Sequence, residues 1–302
     1  MKAFVPTILR VTVFFCGIFC GLLAGCTLKK GEVGSAENPI KLFFVPSVDA
    51  KVINSNAQVM KTWLEVNTPY KYEIKIPQSY IAVIEAFGSK TADVAALNTS
   101  GYLKAHEKYQ AEARLIVIRY GRKTYRSQII AKAGRFKNLR ELQGKRIAFV
   151  DAASLSGYKL PLSLLRENGV KTAGDPIFAM RHDNVVSMVY QGQTDAGATY
   201  YSPPEPGEGI QDARRLVTTQ YPDVESKVEI LQLTDPVPND PIVFRKDLPE
   251  AVKRNLVKAF LEIVKTPEGL KAFKAVYGAT GVEPATDQDF DAVRALVAGL
   301  KK

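Results

Sequence analysis

Ile147-Ala148-Phe149-Val150-Asp151-Ala152-Ala153-Ser154-Leu155-Ser156-Gly157-Tyr158 is the stretch from which the fold is read. An apolar strand over 147–150 passes through small residues into an amphipathic helix over 158–168, which Gly169 closes. The first backbone N–H groups of a helix have no intrahelical partner and carry the positive end of its dipole. A Ser-x-Ser-Gly turn there offers two hydroxyls and bare amides to an oxyanion. A plain helix cap at Ser154 or Ser156 satisfies the same pattern, so the neighbouring chain has to separate the two readings.

Working outward, the pattern of strand and helix repeats on both sides. Downstream come a strand at 176–180, a helix at 184–191 closed by Gly192, and a strand at 196–200. Upstream, strands at 113–119 and 126–132 flank a turn at 121–125, and a short helical element at 138–144 leads into the central stretch. Before these lie a strand at 40–45 ended by Pro46, a helix marked by Val59, Met60, Trp63 and Leu64, and a strand at 72–76 stopped by Pro77. A helix at 80–87 and a strand at 91–97 complete the first series, so the sequence predicts two successive α/β units with mostly parallel sheets. After a Pro-rich loop at 202–209 come a strand at 228–233 and the apolar Ile242-Val243-Phe244. Two helices end the chain, one striped by Val252, Leu256, Val257, Phe260 and Val264, the other by Phe290, Val293, Leu296 and Leu300.

With 302 residues, 46% hydrophobic and 24% charged, the chain is long enough for two globular lobes. The formal net charge of +10 suits anionic partners. Its bases are scattered, however, over Lys29-Lys30, 119–126, 132–146, Arg214-Arg215 and Lys253-Arg254, with no nucleic-acid-binding signature, which predicts a solvated surface and no nucleic-acid partner. The sequence contains no Gly-x-Ser-x-Gly elbow, zinc helix or phosphate-binding loop. His106 lies among charges and reads as a solvated helix face, which leaves His182 as the candidate functional histidine.

The N-terminus is a separate region. Lys2 and Arg10 precede an apolar run over 11–24, too short to span a bilayer, that ends in Leu23-Ala24-Gly25-Cys26. This resembles a bacterial lipoprotein signal. The resemblance implies removal of residues 1–25, a lipid on Cys26, a tether over 26–37, and an exported protein anchored on the periplasmic face or the cell surface. Cys16 and Cys20 would leave with the leader, so a disulfide or thiolate metal site is not expected.

Pro77-Gln78-Ser79-Tyr80, Tyr125-Arg126-Ser127, Leu139-Arg140-Glu141-Leu142-Gln143-Gly144-Lys145-Arg146, Ser154-Leu155-Ser156-Gly157-Tyr158, Arg181-His182-Asp183, Pro238-Asn239-Asp240-Pro241-Ile242-Val243 and Lys265-Thr266-Pro267-Glu268 follow one another along the chain. In this order, and over nearly all of residues 38–275, the sequence resembles the phosphonate/phosphite/phosphate-binding proteins of ABC importers. The resemblance implies an α/β type II periplasmic binding protein fold, each lobe a mixed, mostly parallel sheet flanked by helices. Lobe 1 would hold residues 38–124 and 240–302 and lobe 2 residues 125–239, with hinges near 125–131 and 238–244. The ligand, a small oxyanion, would lie between them. Tyr80 and Tyr125 would reach it from the first lobe and its crossing, Ser154, Leu155, Ser156 and Gly157 from the helix N-terminus, His182 from the second lobe, and Asp240 from the second crossing. A carboxylate beside an anion is explained by a P–O–H or an amine on the ligand. No cofactor, metal or catalytic activity is implied; the partners would be a permease and, through Cys26, a membrane, with the protein itself a monomer.

Two departures bear on the ligand. The family pattern has Ser-Thr-Ser-Gly where this chain has Leu155, which removes one hydroxyl, worth about 1–3 kcal/mol if nothing replaces it. Members that bind an aminoalkyl phosphonate have an acid shortly after the strand at 196–200; here Tyr201-Ser202 follow, with no carboxylate until Glu205. Both point away from aminoethylphosphonate and toward a smaller or differently decorated oxyanion. Two other readings stay open: a sensor or binding protein for a sulfonate, sulfate or vitamin precursor on this fold, and an enzyme of pyrimidine or thiamine metabolism. A catalytic triad of Ser154, His182 and Asp240 would require the histidine to bond the serine and to be oriented by the acid.

Overall fold

The computed structural model describes residues 29–204, 207 and 209–299; the leader, Cys26, Glu205 and Leu300 lie outside them. The first series runs β1 (Ile40–Phe44), α1 (Ala50–Asn67), β2 (Tyr72–Lys75), α2 (Tyr80–Gly88), β3 (Val94–Ala96) and α3 (Thr99–Tyr109). β4 (Glu112–Ile118) and β5 (Thr124–Lys132) lead to the second, made of β6 (Ile147–Phe149), α4 (Leu160–Glu167), β7 (Ile177–Phe178), α5 (His182–Gln191) and β8 (Ala196–Tyr201). α6 (Val224–Lys227), β9 (Val228–Leu233), β10 (Val237–Pro238), β11 (Pro241–Phe244), α7 (Glu250–Ile263), α8 (Pro267–Tyr277), β12 (Gly281–Pro284) and α9 (Asp291–Gly299) follow.

These strands form two sheets, ordered β12-β4-β11-β3-β1-β2 and β10-β5-β8-β6-β7, with β9 also paired to β5. In each sheet the βαβ strands pair in parallel, β1 with β2 and β3, β6 with β7 and β8. The added strands pair antiparallel. β1 is apolar and buried almost throughout because helices cover both faces of its sheet. On one face Leu42, Phe44 and Val94 pack with Ile53, Leu64, Leu256 and Phe273; on the other, Phe43 and Ala95 belong to a core that continues through Tyr80 and Val83 to Val150, Leu155 and Val185. Apolar contact therefore joins the two sheets. The chain crosses between them twice, over 119–123, ahead of the 125–131 expected for the first hinge, which lie within β5, and over 239–240, inside the second expected hinge.

Several local expectations are corrected. The helix expected over 158–168 opens earlier, as a π-helical turn at Leu155–Lys159 that passes into α4. The helix face expected around His106 belongs to α3, which begins earlier, at Thr99, with Asn98 as its cap. Between the two expected C-terminal helices stand α8 and β12. Residues 33–37 of the expected tether pack on the first sheet: Lys71 N donates to Gly34 O (2.7 Å), and a Cβ on Gly34, at φ +94, would lie 2.5 Å from the Tyr70 ring. Arg119, Arg214 and Lys253 are not solvated; each is buried against acids, Asp240, Asp212, and Glu112 with Glu250 respectively. His106 is only partly exposed, its Nδ1 2.9 Å from Ala111 O and its Nε2 3.6 Å from Asp287.

Candidate functional site

The Ser-x-Ser-Gly turn shows how this sequence builds a site. Asp151 Oδ1 accepts from Ala153 N (2.7 Å), turning the chain sharply after β6, and Ser154 Oγ accepts from Gly157 N (3.0 Å) as the N-cap. Gly157 is required for contact rather than conformation, since a Cβ there would lie 2.4 Å from Val150 Cγ2. Val150 N then donates to Gly157 O (3.0 Å), which clamps the turn to the end of its strand. The plain cap reading of Ser154 is thus correct, and the same side chain also lines a cavity.

That cavity has a volume of about 50 Å³ and is walled by elements of both sheets. From the second sheet come Ser154 and Ser156, Tyr200 on β8, and His182, the first residue of α5. From the first come Ser47 and Val48 just before α1, Tyr80 at the start of α2, Asn98 as the N-cap of α3, and Val276 and Tyr277 at the end of α8. Arg119, Tyr125 and Asp240 line it from the crossings and the strand beside them. Several helix N-termini converge here, which places positive dipole ends and backbone amides around a small space. The backbone N–H of His182 donates to Ser47 O (3.1 Å), which joins two residues of the lining from opposite sheets.

Four polar atoms of the lining residues are buried without a hydrogen-bond partner among the described residues: Asn98 Nδ2, His182 Nδ1, Asp240 Oδ1 and Tyr277 Oη. Such groups cost about 1–3 kcal/mol each unless something satisfies them, so their gathering at one cavity marks a place built for a polar ligand. Burial, then the nearby positive Arg119, pulls His182 down to about 3, so its ring is neutral and has one N–H to give. The Tyr80, Tyr125 and Tyr277 phenols are pushed up, chiefly by burial and then by acids including Asp240, and remain O–H donors. Ser47 and Ser156 lie within hydrogen-bonding reach of Tyr80 and Tyr125. For Arg119 burial works against the charge, but Asp240 prevails and its pKa is raised.

Of the expected site residues, Tyr80, Tyr125, Ser154, Ser156, His182 and Asp240 line this cavity together. Leu155 and Gly157 do not: the Leu155 side chain sits in the apolar core between the sheets, and Gly157 faces Val150. Cys26 lies outside the described residues. Sequence reasoning missed Ser47, Asn98, Arg119, Tyr200 and Tyr277. Asn98 carried a signal, since Asn98-Thr99-Ser100-Gly101 after β3 repeats the arrangement of Ser154-Leu155-Ser156-Gly157 after β6, with Asn98 Oδ1 accepting from Gly101 N (2.9 Å). Among the described residues no cluster of metal-ligating side chains occurs, and no helix is long and apolar enough to cross a membrane.

Two mixed sheets joined by paired crossings define the type II periplasmic binding protein class. Residues 42–290 match the family of ABC transporter phosphonate periplasmic substrate-binding proteins, and the chain belongs to that family. A curated relative, the phosphate-import protein PhnD of Mycolicibacterium smegmatis, is 27% identical over 175 residues, 53% of this chain and 54% of that protein. The match thus spans about half of the relative's length. Among solved structures, a binding-protein component of an ABC phosphonate transporter from Pseudomonas aeruginosa superposes with a TM-score of 0.76 at 16% identity, over 87% of both chains. PhnD1 of Prochlorococcus marinus, in complex with methylphosphonate, gives 0.74 at 18% identity, over 87% of this chain and 98% of that one. At these identities the structural likeness establishes the fold.

Proposed function

We propose that this chain captures a small phosphorus oxyanion between two lobes and delivers it to an ABC permease. Lobe 1 is taken as residues 38–124 and 240–302, lobe 2 as 125–239, with the two crossings as hinge. The reading is carried by the four unpartnered atoms at the cavity: three belong to groups able to donate, Asn98, His182 and Tyr277, and the fourth is a single acceptor, Asp240 Oδ1. Neutral donors and helix N-termini bind a tetrahedral anion by short charge-assisted bonds without needing a free cation. Asp240 then meets a P–O–H. At about 50 Å³ the space holds a head group and one small substituent, given that a water-sized group needs about 10–15 Å³. Val45, Val48, Leu97 and Val276 form an apolar part of the lining, suited to a hydrogen or methyl on phosphorus.

Binding, rather than hydrolysis, is supported by where the triad-like residues point their bonds. Ser154 Oγ accepts from Gly157 N, Asp240 Oδ2 accepts from Arg119, and His182 Nδ1 bonds neither of them. The membrane address rests on Leu23-Ala24-Gly25-Cys26 and is tested by Cys26→Ser, which should abolish labelling by radioactive palmitate and release the protein from membranes.

The test of the ligand is thermal unfolding against phosphate, phosphite, methylphosphonate, aminoethylphosphonate, sulfate and alkyl sulfonates. A ligand raises the midpoint according to RT ln(1 + [L]/Kd). A clear rise with a small phosphorus oxyanion and little with aminoethylphosphonate is expected. A rise with sulfonates alone would replace the ligand assignment.

A further inference from the structure

Arg119 belongs by sequence to a run of scattered bases, yet it is 8% exposed and stands where both crossings meet. Its backbone exchanges hydrogen bonds with Arg122, 3.0 Å each way, across the turn that leaves β4. Its guanidinium donates through Nε to Tyr277 O (2.7 Å), through Nη1 to Asn239 Oδ1 (3.1 Å) and through Nη2 to Asp240 Oδ2 (2.6 Å). Asn239 Nδ2 donates back to Arg122 O (2.7 Å), and the guanidinium carbon lies 5.1 Å from the centre of the Tyr125 ring. Asp240 is therefore held by one oxygen only. Oδ2 is committed to Arg119, while Oδ1 is buried, unpartnered among the described residues, and part of a residue that lines the cavity.

We infer that Arg119 is a positioning residue for specificity: by fixing Asp240 through Oδ2 it presents Oδ1 as a lone acceptor among donors, so the site selects oxyanions carrying a proton on one oxygen. The inference rests on the oxyanion reading above and narrows it to a class. Singly protonated phosphonates, phosphite and phosphate fit; sulfate, sulfonates and fully ionised phosphorus oxyanions do not. An acceptor facing an acceptor leaves both unsatisfied and, with like charges, repels. One hydrogen between them turns the same contact into a charge-assisted bond. A buried group left unpaired by the wrong ligand is a strong source of discrimination.

The groups around Asp240 leave the pH dependence to the ligand. Arg119 in the first crossing, Tyr125 on β5, Tyr80 on α2 and Tyr277 on α8 surround it, with His182 on α5 and Tyr200 on β8 across the cavity. Burial raises the phenols of Tyr80, Tyr125 and Tyr277 and lowers His182 to about 3. Neither they nor Arg119 change charge between about pH 5.5 and about pH 8.5. The second ionisation of an alkylphosphonate, higher than the value of about 6 of a phosphate ester, falls in the upper part of that window.

Isothermal titration of the purified protein with methylphosphonate and with methanesulfonate, across that window, tests the inference. For wild type, the methylphosphonate Kd should rise about tenfold per pH unit above the ligand's second ionisation, as the competent fraction falls. Methanesulfonate should bind at least about a hundredfold more weakly. Asp240→Asn, whose amide can donate, should lose the slope and gain methanesulfonate. Arg119→Gln should flatten the slope and narrow the gap between the ligands; if that variant does not fold, wild type and Asp240→Asn still decide. A flat wild-type profile with methylphosphonate bound, methanesulfonate bound within about tenfold, or a slope retained in Asp240→Asn would overturn the inference and leave the oxyanion reading standing. A folded Arg119→Gln with an unchanged slope would remove Arg119 from this role. Failure to bind any phosphorus oxyanion at any pH would overturn both.

Discussion

His182 shows what the fold does to a single residue. Burial and the field of Arg119 bring its pKa to about 3, so it enters the site as a neutral imidazole. Because an unfolded histidine titrates near 6.5, the unfolded chain binds a proton between about pH 3 and about pH 6.5 that the folded one does not. The contribution to stability is therefore complete above about pH 6.5 and is lost on acidification, by about 1.4 kcal/mol for each unit crossed. In denaturant titrations His182→Asn should flatten that acid limb of the stability curve; an unchanged limb would mean the ring is protonated in the folded state. His182→Ala should weaken the ligand by about 5- to 150-fold, the equivalent of about 1–3 kcal/mol, while the unligated fold keeps its thermal midpoint within a few degrees. Wild-type affinity for every ligand would remove His182 from the site. His182 was legible because Arg181-His182-Asp183 sits in a family pattern. Arg119 was not, since nothing local distinguishes it from Arg122 or Arg126; its role depends on Asp240, more than a hundred residues away, closing the second crossing.

At the scale of elements, strands and apolar stripes were legible because covered sheets need continuous apolar runs. The parallel core β1, β2, β3 and β6 falls within the segments expected for it. Element ends were less so. The π-helical opening at Leu155–Lys159 depends on Lys159 N reaching Ser154 O (3.2 Å), a choice between adjacent hydrogen-bond registers that propensity does not resolve. Two related turns then give opposite expectations for the same substitution. Gly157→Ala drives a Cβ against Val150 at 2.4 Å and should destabilise by about 1–3 kcal/mol, shifting the turn and weakening the ligand. At Gly101 a Cβ meets nothing closer than 3.4 Å, so Gly101→Ala gains helix propensity of up to about 1 kcal/mol and should be neutral or stabilising. Denaturant midpoints for the pair check this directly; equal losses would show that the clamp on Val150 is not what fixes the second turn.

For the whole molecule, the contacts between the sheets bear on how the proposed lobes hold a ligand. Arg181 Nη1 lies 3.3 Å from Asp49 Oδ2, Lys159 Nζ donates to Ser100 Oγ, and Arg215 Nη2 lies 3.4 Å from Lys274 O. Each runs from the second sheet's elements to the first's. Asp49 also caps α1 through Oδ1, so it is already oriented when Arg181 reaches it. The Arg181–Asp49 pair is half-exposed, and pairs of that kind contribute about 0–1 kcal/mol. In the proposed cycle, contacts of this size would trim a closed state without deciding it; the decision would fall to a ligand that satisfies Asn98 and Tyr277 on one side and His182 on the other. Under the proposed closure of the lobes on the ligand, the pair is expected to form only in the closed state, so its loss should act on release and not on encounter. Arg181→Ala should raise the ligand off-rate up to about fivefold, with little change in on-rate, and the difference should shrink as added salt screens the wild-type pair. Stopped-flow measurement of intrinsic fluorescence, with whichever oxyanion the thermal screen identifies, reads both rates. A change confined to the on-rate would instead make Arg181 a steering charge at the mouth, and the closed state would have to be held by the ligand alone.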